Sequence, residues 1–375
     1  MPKLDHVDYD ALDSAKSAFI EASRRTLNFA SQFGFVPDER LGASANIFSL
    51  DLTGFLSSGS KEILVTLLPE GLGTADDARP EHLTGEEAVR FWHNIGIKSV
   101  AVMTNDAASS GMQPILISLY LPSASPEHVF TKEFMTGFLD GFVSGCRTVG
   151  CVYISGETPQ LKSKMFEDKL DIAGAVFGII PAGQQAILSG ELSAGDSIVF
   201  VESSGPHENG YTSLRKLAES LPNRYRTKLP SGKQYFEAIN APSILYTPYI
   251  QKLLKSGIRP SNVEPITGHG WQKIMRSHKP LSYVIDSPLP VPEIFSFVEQ
   301  ASNTSRKRML EIFNYGVGLA VFFPSSDLAQ DAVNTAKELG LNAIVAGRVE
   351  HSAKRQVIVK PWDIILKEEG FTLNK

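Results

Sequence analysis

Cysteine is scarce: Cys146 and Cys151 are the only two in 375 residues. Their spacing excludes a CxxC pair, and eight scattered histidines do not complete a four-ligand zinc set. Neither a disulfide framework nor a structural zinc site organises the chain, and a reducing compartment is expected. Basic residues are not in surplus either. Lys and Arg number 36 against 41 Asp and Glu, a formal net charge of -5. That excludes a surface built to neutralise a long phosphate backbone, while leaving room for a pocket that takes one phosphorylated metabolite. No apolar run approaches the roughly 20 residues needed to span a bilayer. The opening MPKLDHVDYD lacks the apolar stretch of a secretory signal. The expectation is a cytoplasmic protein that engages neither nucleic acid nor membrane.

What is present is a balanced globular composition, 42% hydrophobic and 21% charged. At roughly 150 residues per domain, this length suggests two domains. Residues 11–30 read as a helix, with Leu12, Ala15, Phe19 and Leu27 inside and Arg24 and Arg25 outside. Short apolar runs at 46–52, 62–68, 115–121, 151–155 and 170–180 read as strands. Helices are expected at 84–95 and again through Val100, Ala101 and Thr104. The clearest helix carries Phe130, Phe134, Phe138 and Phe142 at four-residue spacing, and Gly137, Gly141 and Gly145 form a second such row. Each glycine costs a helix about 0.5–1 kcal/mol relative to alanine, so close packing against a neighbouring backbone is the expected compensation. The phenylalanine stripe reads as core rather than as a cofactor box. Pro181-Ala-Gly183 and the Gly- and Ser-rich stretch 189–196 punctuate the middle. The reading is therefore 1–181 and 182–360 as domains, with 361–375 as a tail. The second half alternates strands (198–202, 316–323, 343–346, 356–359) with helices (211–221, 244–256, 292–301, 327–339). The class is α/β, or α+β, in both halves.

Four polar, glycine-punctuated segments stand at strand or helix ends: Pro69-Glu-Gly-Leu-Gly-Thr-Ala-Asp-Asp77, residues 104–114, Ser155-Gly-Glu-Thr158 and Ser203-Ser-Gly-Pro-His-Glu-Asn-Gly-Tyr211. The first puts a carboxylate beside a flexible turn, which suits a metal held against phosphates, yet it is no Walker A loop. Residues 104–114 read as a polar break before a strand. The last lies between strand and helix, where backbone N–H groups hold anions. Singly, each also reads as an ordinary turn, Asn209-Gly210 in particular.

Taken in order, these segments resemble the aminoimidazole ribonucleotide synthetase family, the phosphoribosylformylglycinamidine cyclo-ligases of purine synthesis. The resemblance runs from about Val7 to Val359. It is carried by Val7-Asp-Tyr-Asp10, Asn105-Asp106 with Gly111-Met-Gln-Pro114, Gly145-Cys-Arg-Thr-Val-Gly-Cys151 leading to Ser155-Gly-Glu-Thr158, Asp171-Ile-Ala-Gly174, the 203–211 segment with Leu214-Arg-Lys216, Ile266-Thr-Gly-His-Gly270 and Phe313-Asn-Tyr-Gly-Val-Gly318. The resemblance implies a two-domain PurM-like fold. Its N-terminal sheet domain would bind ATP and form a barrel with a second copy, and its C-terminal domain would be α/β. It implies ATP with Mg2+, a phosphorylated small-molecule substrate, and ring closure through phosphorylation of an amide oxygen.

By the same resemblance Glu70, Asp106 and Glu157 are the candidate metal ligands. Gly71, Gly73, Thr74, Asn105, Gly156 and Thr158 complete the nucleotide site. Ser204, Gly205, His207, Asn209, Gly210, Thr267 and Gly268 would grip the ribonucleotide, with Asp106 and His207 as catalytic candidates. Phosphoryl transfer needs charge neutralised on the β- and γ-phosphates, which is why carboxylates are expected to converge on a metal. Arg215 and Lys216 read equally as a solvated face or a phosphate clamp. Departures from the family pattern are specific: Ala75 replaces a lysine, 41–48 replaces a glycine-rich segment, His269 sits in a glycine turn, and Glu208 replaces a serine. Lys16 and Arg79 are candidate replacements for the missing cation. Two alternatives follow from these changes, another ATP-dependent phosphoryl transfer on the same scaffold or a noncatalytic ligand-binding relative.

Overall fold

The computed structural model describes residues 9–37 and 47–368. Most of the 41–48 segment and the Val7-Asp8 start of the family pattern lie outside the described residues. The chain forms two compact units, one built from 1–76, 82–107 and 113–183, the other from 77–81, 108–112 and 184–375.

The first unit contains α1 (Tyr9–Arg24), β1 (Phe35–Pro37), β2 (Phe48–Leu50), α2 (Thr53–Ser57), β3 (Val65–Gly71), α3 (Gly85–Ser109), β4 (Gln113–Tyr120), α4 (Pro126–Val129), α5 (Lys132–Val149), β5 (Val152–Glu157) and β6 (Ala173–Ile179). Its main sheet runs β3-β6-β4-β5, antiparallel except for the parallel pair β4 and β5, and β1 pairs with β2 separately.

The glycine row of α5 does what its spacing predicts. A Cβ on Gly141 would stand 1.9 Å from the His93 carbonyl oxygen, and one on Gly137 2.2 Å from that of Val89. Reciprocally, a Cβ on Gly96 of α3 would meet the Phe138 carbonyl oxygen at 2.3 Å. The two helices thus touch backbone to backbone. The phenylalanine stripe on the neighbouring face is core. Phe134 stacks on Phe138 at 4.9 Å between ring centres, Trp92 meets Phe134 edge-on at 4.8 Å, and Phe19 of α1 closes over Phe138 at 6.5 Å. Each such pair adds about 0.5–1.5 kcal/mol beyond burial. Thr131 caps α5 by accepting from the Phe134 N–H, and left-handed Gly150 ends it.

Helix α3 corrects the reading of two helices followed by a polar break. It is one 25-residue helix that includes Asn105 and Asp106. Its interior hydroxyls are satisfied locally, Ser99 donating to the Ile95 carbonyl and Thr104 to that of Val100, both at 2.8 Å.

The second unit contains β7 (Ser197–Glu202), α6 (Tyr211–Ser220), α7 (Tyr235–Ile239), α8 (Thr247–Lys255), β8 (Asn262–Pro265), β9 (Leu281–Ile285), α9 (Glu293–Ala301), α10 (Arg306–Ile312), β10 (Val317–Phe323), α11 (Ser326–Glu338), β11 (Ala343–His351), β12 (Gln356–Val359) and β13 (Ile364–Lys367). Its sheet is ordered β13-β12-β9-β11-β7-β10-β8, antiparallel except between β12 and β9. Interior strand β10 is buried along its whole length, and α8 and α11 cover one face through Tyr249, Leu253, Ala332 and Ala336. The stretch after Pro361, read as a tail, supplies edge strand β13, with Leu366 buried.

Candidate active site

In the first unit Glu70, Gly71, Gly156 and Glu157 fall at one end of the four-stranded sheet, where β3 and β5 finish, while Asn105 and Asp106 lie on α3. Glu70 and Gly71 are still within β3, so the turn begins later than the sequence suggests. Leu72 donates to the Ile172 carbonyl at 2.8 Å, and Gly73 turns the chain with φ +68. Thr74 is half-buried beyond it. Ala75 is buried, with Leu72 and Ala78 also in the core, so the methyl group standing where the family has a lysine points away from solvent. Lys16 is exposed on α1.

Strand register separates the three carboxylates. Glu70 lies opposite Gly174, Gly174 opposite Leu119, and Leu119 opposite Gly156. Glu157 is one residue further along, so alternation turns it to the other face. Glu70 and Glu157 are also on opposite edges, three strand spacings or about 14 Å apart. On β3 the exposed face carries Val65, Leu67, Pro69 and Gly71, and Glu70 belongs to the other. Helix α3 covers that other face: the Met103 sulfur is 2.8 Å from where a Cβ on Gly174 would stand. Asp106 lies one turn beyond Met103. The structure therefore brings Glu70 and Asp106 to the same side and does not gather Glu157 with them. Among the described residues no three His, Cys, Asp or Glu side chains form a metal-binding group. This donor set still suits Mg2+, which keeps waters and phosphate ligands and takes one or two protein carboxylates.

Asp106 occupies the last turn of α3, which carries no basic residue of its own and where the helix dipole disfavours an anion. Asn105 beside it is buried. At the end of β5, Gly156 leaves room for the Tyr153 hydroxyl, 2.3 Å from where its Cβ would stand. Burial drives the Tyr153 phenol well above its usual range. Thr158 is buried, and its hydroxyl has no hydrogen-bond partner among the described residues. Lys98 of α3 was passed over in the sequence. It is a fully buried lysine, and its signal is a cation within residues 95–101, where Ser99 is the one other polar side chain. Cys146 and Cys151 are buried free thiols, and burial pushes the Cys146 thiol up.

In the second unit the 203–210 loop leaves β7 and enters α6. Buried Asn314, the residue the sequence reading did not single out within its motif, ties it together. Its side-chain oxygen accepts from the Ser203 hydroxyl at 2.9 Å and the Gly316 N–H at 3.1 Å, and its amide donates to the Gly205 carbonyl at 2.8 Å. Gly210 is left-handed (φ +76), and a Cβ there would strike the Phe313 ring at 2.1 Å, which explains its glycine.

His207 is buried and strained, with φ +53. Its Nε2 accepts from the Ser204 N–H at 3.3 Å and the Ile244 N–H at 3.5 Å. That lone pair is engaged, and Nε2 carries no proton to offer a phosphate. His207, the catalytic and ribonucleotide-gripping candidate, thereby also positions the loop. Ser204 donates to the Pro242 carbonyl at 2.6 Å, and Ser243 donates to the Glu208 carboxylate. Asn209 Oδ1 lies 3.8 Å from where a Gly268 Cβ would be, which brings the 266–270 turn beside the loop. In that turn the Thr267 carbonyl accepts from Gly270, and exposed His269 is left-handed at φ +71. Arg215 pairs with Asp77 at 3.4 Å, so it is neither a bare solvated face nor a free clamp.

Residues 82–180 match the family model "AIR synthase related protein, N-terminal domain". A phosphoribosylformylglycinamidine cyclo-ligase of Rippkaea orientalis (strain PCC 8801 / RF-1) is 30% identical over 307 residues, covering 79% of this chain and 87% of the relative. One from Synechocystis sp. is 29% identical over 316 residues, 82% of this chain and 86% of the relative. Solved structures share the fold at lower identity. E. coli HypE, a hydrogenase maturation protein, aligns with TM-score 0.63 at 19% identity, over 94% of each chain. Thiamine-monophosphate kinase of Stenotrophomonas maltophilia K279a aligns with TM-score 0.61 at 17% identity, over 92% of this chain and 97% of its own. With colinear site segments and this identity over most of its length, the chain belongs to the phosphoribosylformylglycinamidine cyclo-ligase, AIR synthase-related, family.

Proposed function

We propose that this chain is an ATP-dependent cyclo-ligase that closes formylglycinamidine ribonucleotide to aminoimidazole ribonucleotide. The observation that carries this reading is the 30% identity to a protein of that name over 79% of the chain, with the signature loop intact at Ser203–Gly205, His207 and Asn209–Tyr211. In the reaction the amide oxygen takes the γ-phosphoryl group, which makes it a good leaving group. A nitrogen of the same molecule then attacks the activated carbon, and phosphate departs. Most of the advantage in closure comes from holding the two ends of one substrate together.

The chain's residues divide this work. Glu70 and Asp106, on the helix-covered side of the first sheet, are the carboxylates that would hold Mg2+, which when bound neutralises charge on the nucleotide phosphates. Gly71, Gly73, Thr74, Asn105, Gly156 and Thr158 would line the nucleotide, and the unpaired Thr158 hydroxyl is a ready donor. Nucleotide binding is also supported by a HypE structure in complex with ATP, which shares this fold at TM-score 0.60. Ser204, Gly205, Asn209, Gly210, Thr267 and Gly268 would hold the ribonucleotide, with His207 and Asn314 fixing the loop.

The working form is a homodimer. The exposed face of the first sheet carries Val65, Leu67 and Tyr120, with Leu67 72% exposed, and both β3 and β5 are edge strands. An apolar sheet face with two open edges is a surface for a second copy. The protein would act in the cytoplasm.

A second reading, phosphoryl transfer to another acceptor, is favoured by the buried Ala75 in place of the lysine. One experiment separates them: ADP release measured with formylglycinamidine ribonucleotide as acceptor, alongside rescue of a cyclo-ligase-deficient purine auxotroph. ADP only with that acceptor, together with growth, supports the first reading. ADP with a different acceptor and no growth supports the second.

A further inference from the structure

Resting on that reading, we infer that Trp362 is a positioning residue for the acceptor site, holding segments 266–270 and 313–318, and with them the 203–210 loop, through Trp271 and Tyr315. The first observation is a strained residue. Tyr315 is buried and left-handed at φ +50, and Gly316 after it has φ +99. A bulky side chain rarely takes that conformation, which persists only where the surroundings over-determine it. Here they do. The Tyr315 ring meets Trp362 edge-on at 5.8 Å and Phe295 at 5.7 Å between centres. Its hydroxyl donates to the Glu299 carboxylate. Burial and that bond push the phenol up to about 12, so it keeps its proton and stays a donor at neutral pH. Glu299 in turn pairs with Arg306 at 3.5 Å, and the Arg306 guanidinium lies over the Trp362 ring, 5.3 Å from its centre. The contacts close a circle from Tyr315 through Glu299, Arg306 and Trp362 back to Tyr315.

Trp362 reaches the other segments through Trp271. The two rings lie 5.7 Å apart, and the buried Trp271 indole N–H donates to the Asn314 carbonyl at 2.8 Å. Trp271 follows directly on the 266–270 turn, in the short 3-10 helix Gly270–Met275. Its ring also meets Phe200 of β7 edge-on at 5.1 Å, just before the 203–210 loop. Asn314 is therefore held at its own carbonyl by Trp271 and at its neighbour Tyr315 by Trp362, while its side chain holds Ser203, Gly205 and Gly316. The turn that carries Trp362 joins β12 to β13, and pairing of Val359 with Ile364 pins it. Edge strand β13 thus gains a task beyond closing the sheet. Without the Trp362 ring, Arg306 loses its aromatic face and Tyr315 loses the edge contact that helps keep it left-handed. Asn314 would relax with it and release the loop.

The test compares wild type, Trp362→Leu and Trp362→Phe as full chains, by amide hydrogen exchange and by steady-state kinetics. Trp362→Leu should speed exchange over 203–210 and 313–318 by at least about tenfold and leave α8 and α11 unchanged. Trp362→Phe keeps a ring for Arg306 and Tyr315 and should recover most of the protection. The acceptor KM of Trp362→Leu should rise by at least about tenfold, with the KM for ATP unchanged. Wild-type exchange rates in the two segments of Trp362→Leu, or an equal rise in α8 and α11, overturn the assignment. So does an unchanged acceptor KM in a protein whose loop has loosened. Failure of the underlying reading looks different: wild type then releases no ADP with formylglycinamidine ribonucleotide. In that event the exchange comparison alone upholds or overturns Trp362 as the residue that positions the loop. Should Trp362→Leu unfold, Tyr315→Phe, which loses only the bond to Glu299, takes its place with the same outcomes at a threshold of about threefold.

Discussion

Gly141→Ala tests whether backbone contact between α3 and α5 holds the first unit together. The added methyl would lie 1.9 Å from the His93 carbonyl oxygen, 2.7 Å from the His93 carbonyl carbon and 2.9 Å from its Cα. An ordinary contact is 3.4 Å or more, so the helices must separate by about 1.5 Å over this turn. Nothing flexible is available to give way, since all three atoms are helix backbone. Overpacking costs about 1–3 kcal/mol, and a rigid neighbour puts this site near the top of that range. Alanine returns about 0.5–1 kcal/mol of helix propensity. The net expectation is a loss of about 2 kcal/mol. Urea unfolding followed by tryptophan fluorescence suits the measurement, because Trp92 lies at this junction, 4.8 Å from Phe134. Gly190→Ala is the control, with nothing within 4 Å of the new methyl, and should stay within about 0.5 kcal/mol of wild type. A Gly141→Ala protein as stable as that control would refute the close-contact argument.

Asp106→Asn should lower turnover by at least about a hundredfold while slightly raising the melting temperature, because it removes an anion from a helix C-terminus where the dipole penalty is about 0.3–1 kcal/mol; normal turnover would remove Asp106 from the metal site. Asn314→Leu strips partners from the Ser203 hydroxyl, the Gly205 carbonyl and the Gly316 N–H. It should raise KM for the acceptor and destabilise the second unit by about 2–3 kcal/mol, with KM for ATP unchanged; unchanged acceptor KM counts against the loop as the acceptor site. Arg259 holds the Glu191 carboxyl below its ordinary value mainly through a hydrogen bond. A depressed carboxyl contributes stability above its unfolded pKa and loses it as pH falls through the lower folded value. Arg259→Gln should therefore flatten the acid limb of the stability curve below about pH 4.5. The effect should stay below about 1 kcal/mol, since the pair is half exposed.

Much of the fold is legible where one period dominates. The α5 stripe of Phe134, Phe138 and Phe142 and its glycine row announce both a helix and its close neighbour. Strands β4, β7 and β10 announce themselves as short apolar runs between turns. The failures have physical causes. Asn105 and Asp106 read as a loop because polar residues cluster there, but Ser99 and Thr104 bond back to their own helix and leave α3 unbroken. Strand β8, Asn262-Val-Glu-Pro265, is buried throughout and keeps Asn262 bonded to Glu264 inside the core, so it shows no apolar alternation. Strand β9 is buried at every position and lacks alternation too.

The carboxylate trio shows where local reading ends. Each acid stands in the motif position that suggested it, but whether acids meet depends on strand order, and order is non-local. Because β6 and β4 intervene between β3 and β5, Glu70 and Glu157 occupy opposite edges and opposite faces, whereas α3, the helix that carries Asp106, crosses beside Gly174 on the face of Glu70. The same reasoning bears on the missing lysine. Ala75 is buried among Leu72 and Ala78, so a lysine there would have to lead its ammonium out of an apolar setting or be paired within it. The loss therefore goes with a locally repacked turn rather than an emptied socket. Restoring Ala75→Lys alone should destabilise this turn without strengthening nucleotide binding. A gain in ATP affinity from that single change would mean the socket survives, and the repacking argument would fail.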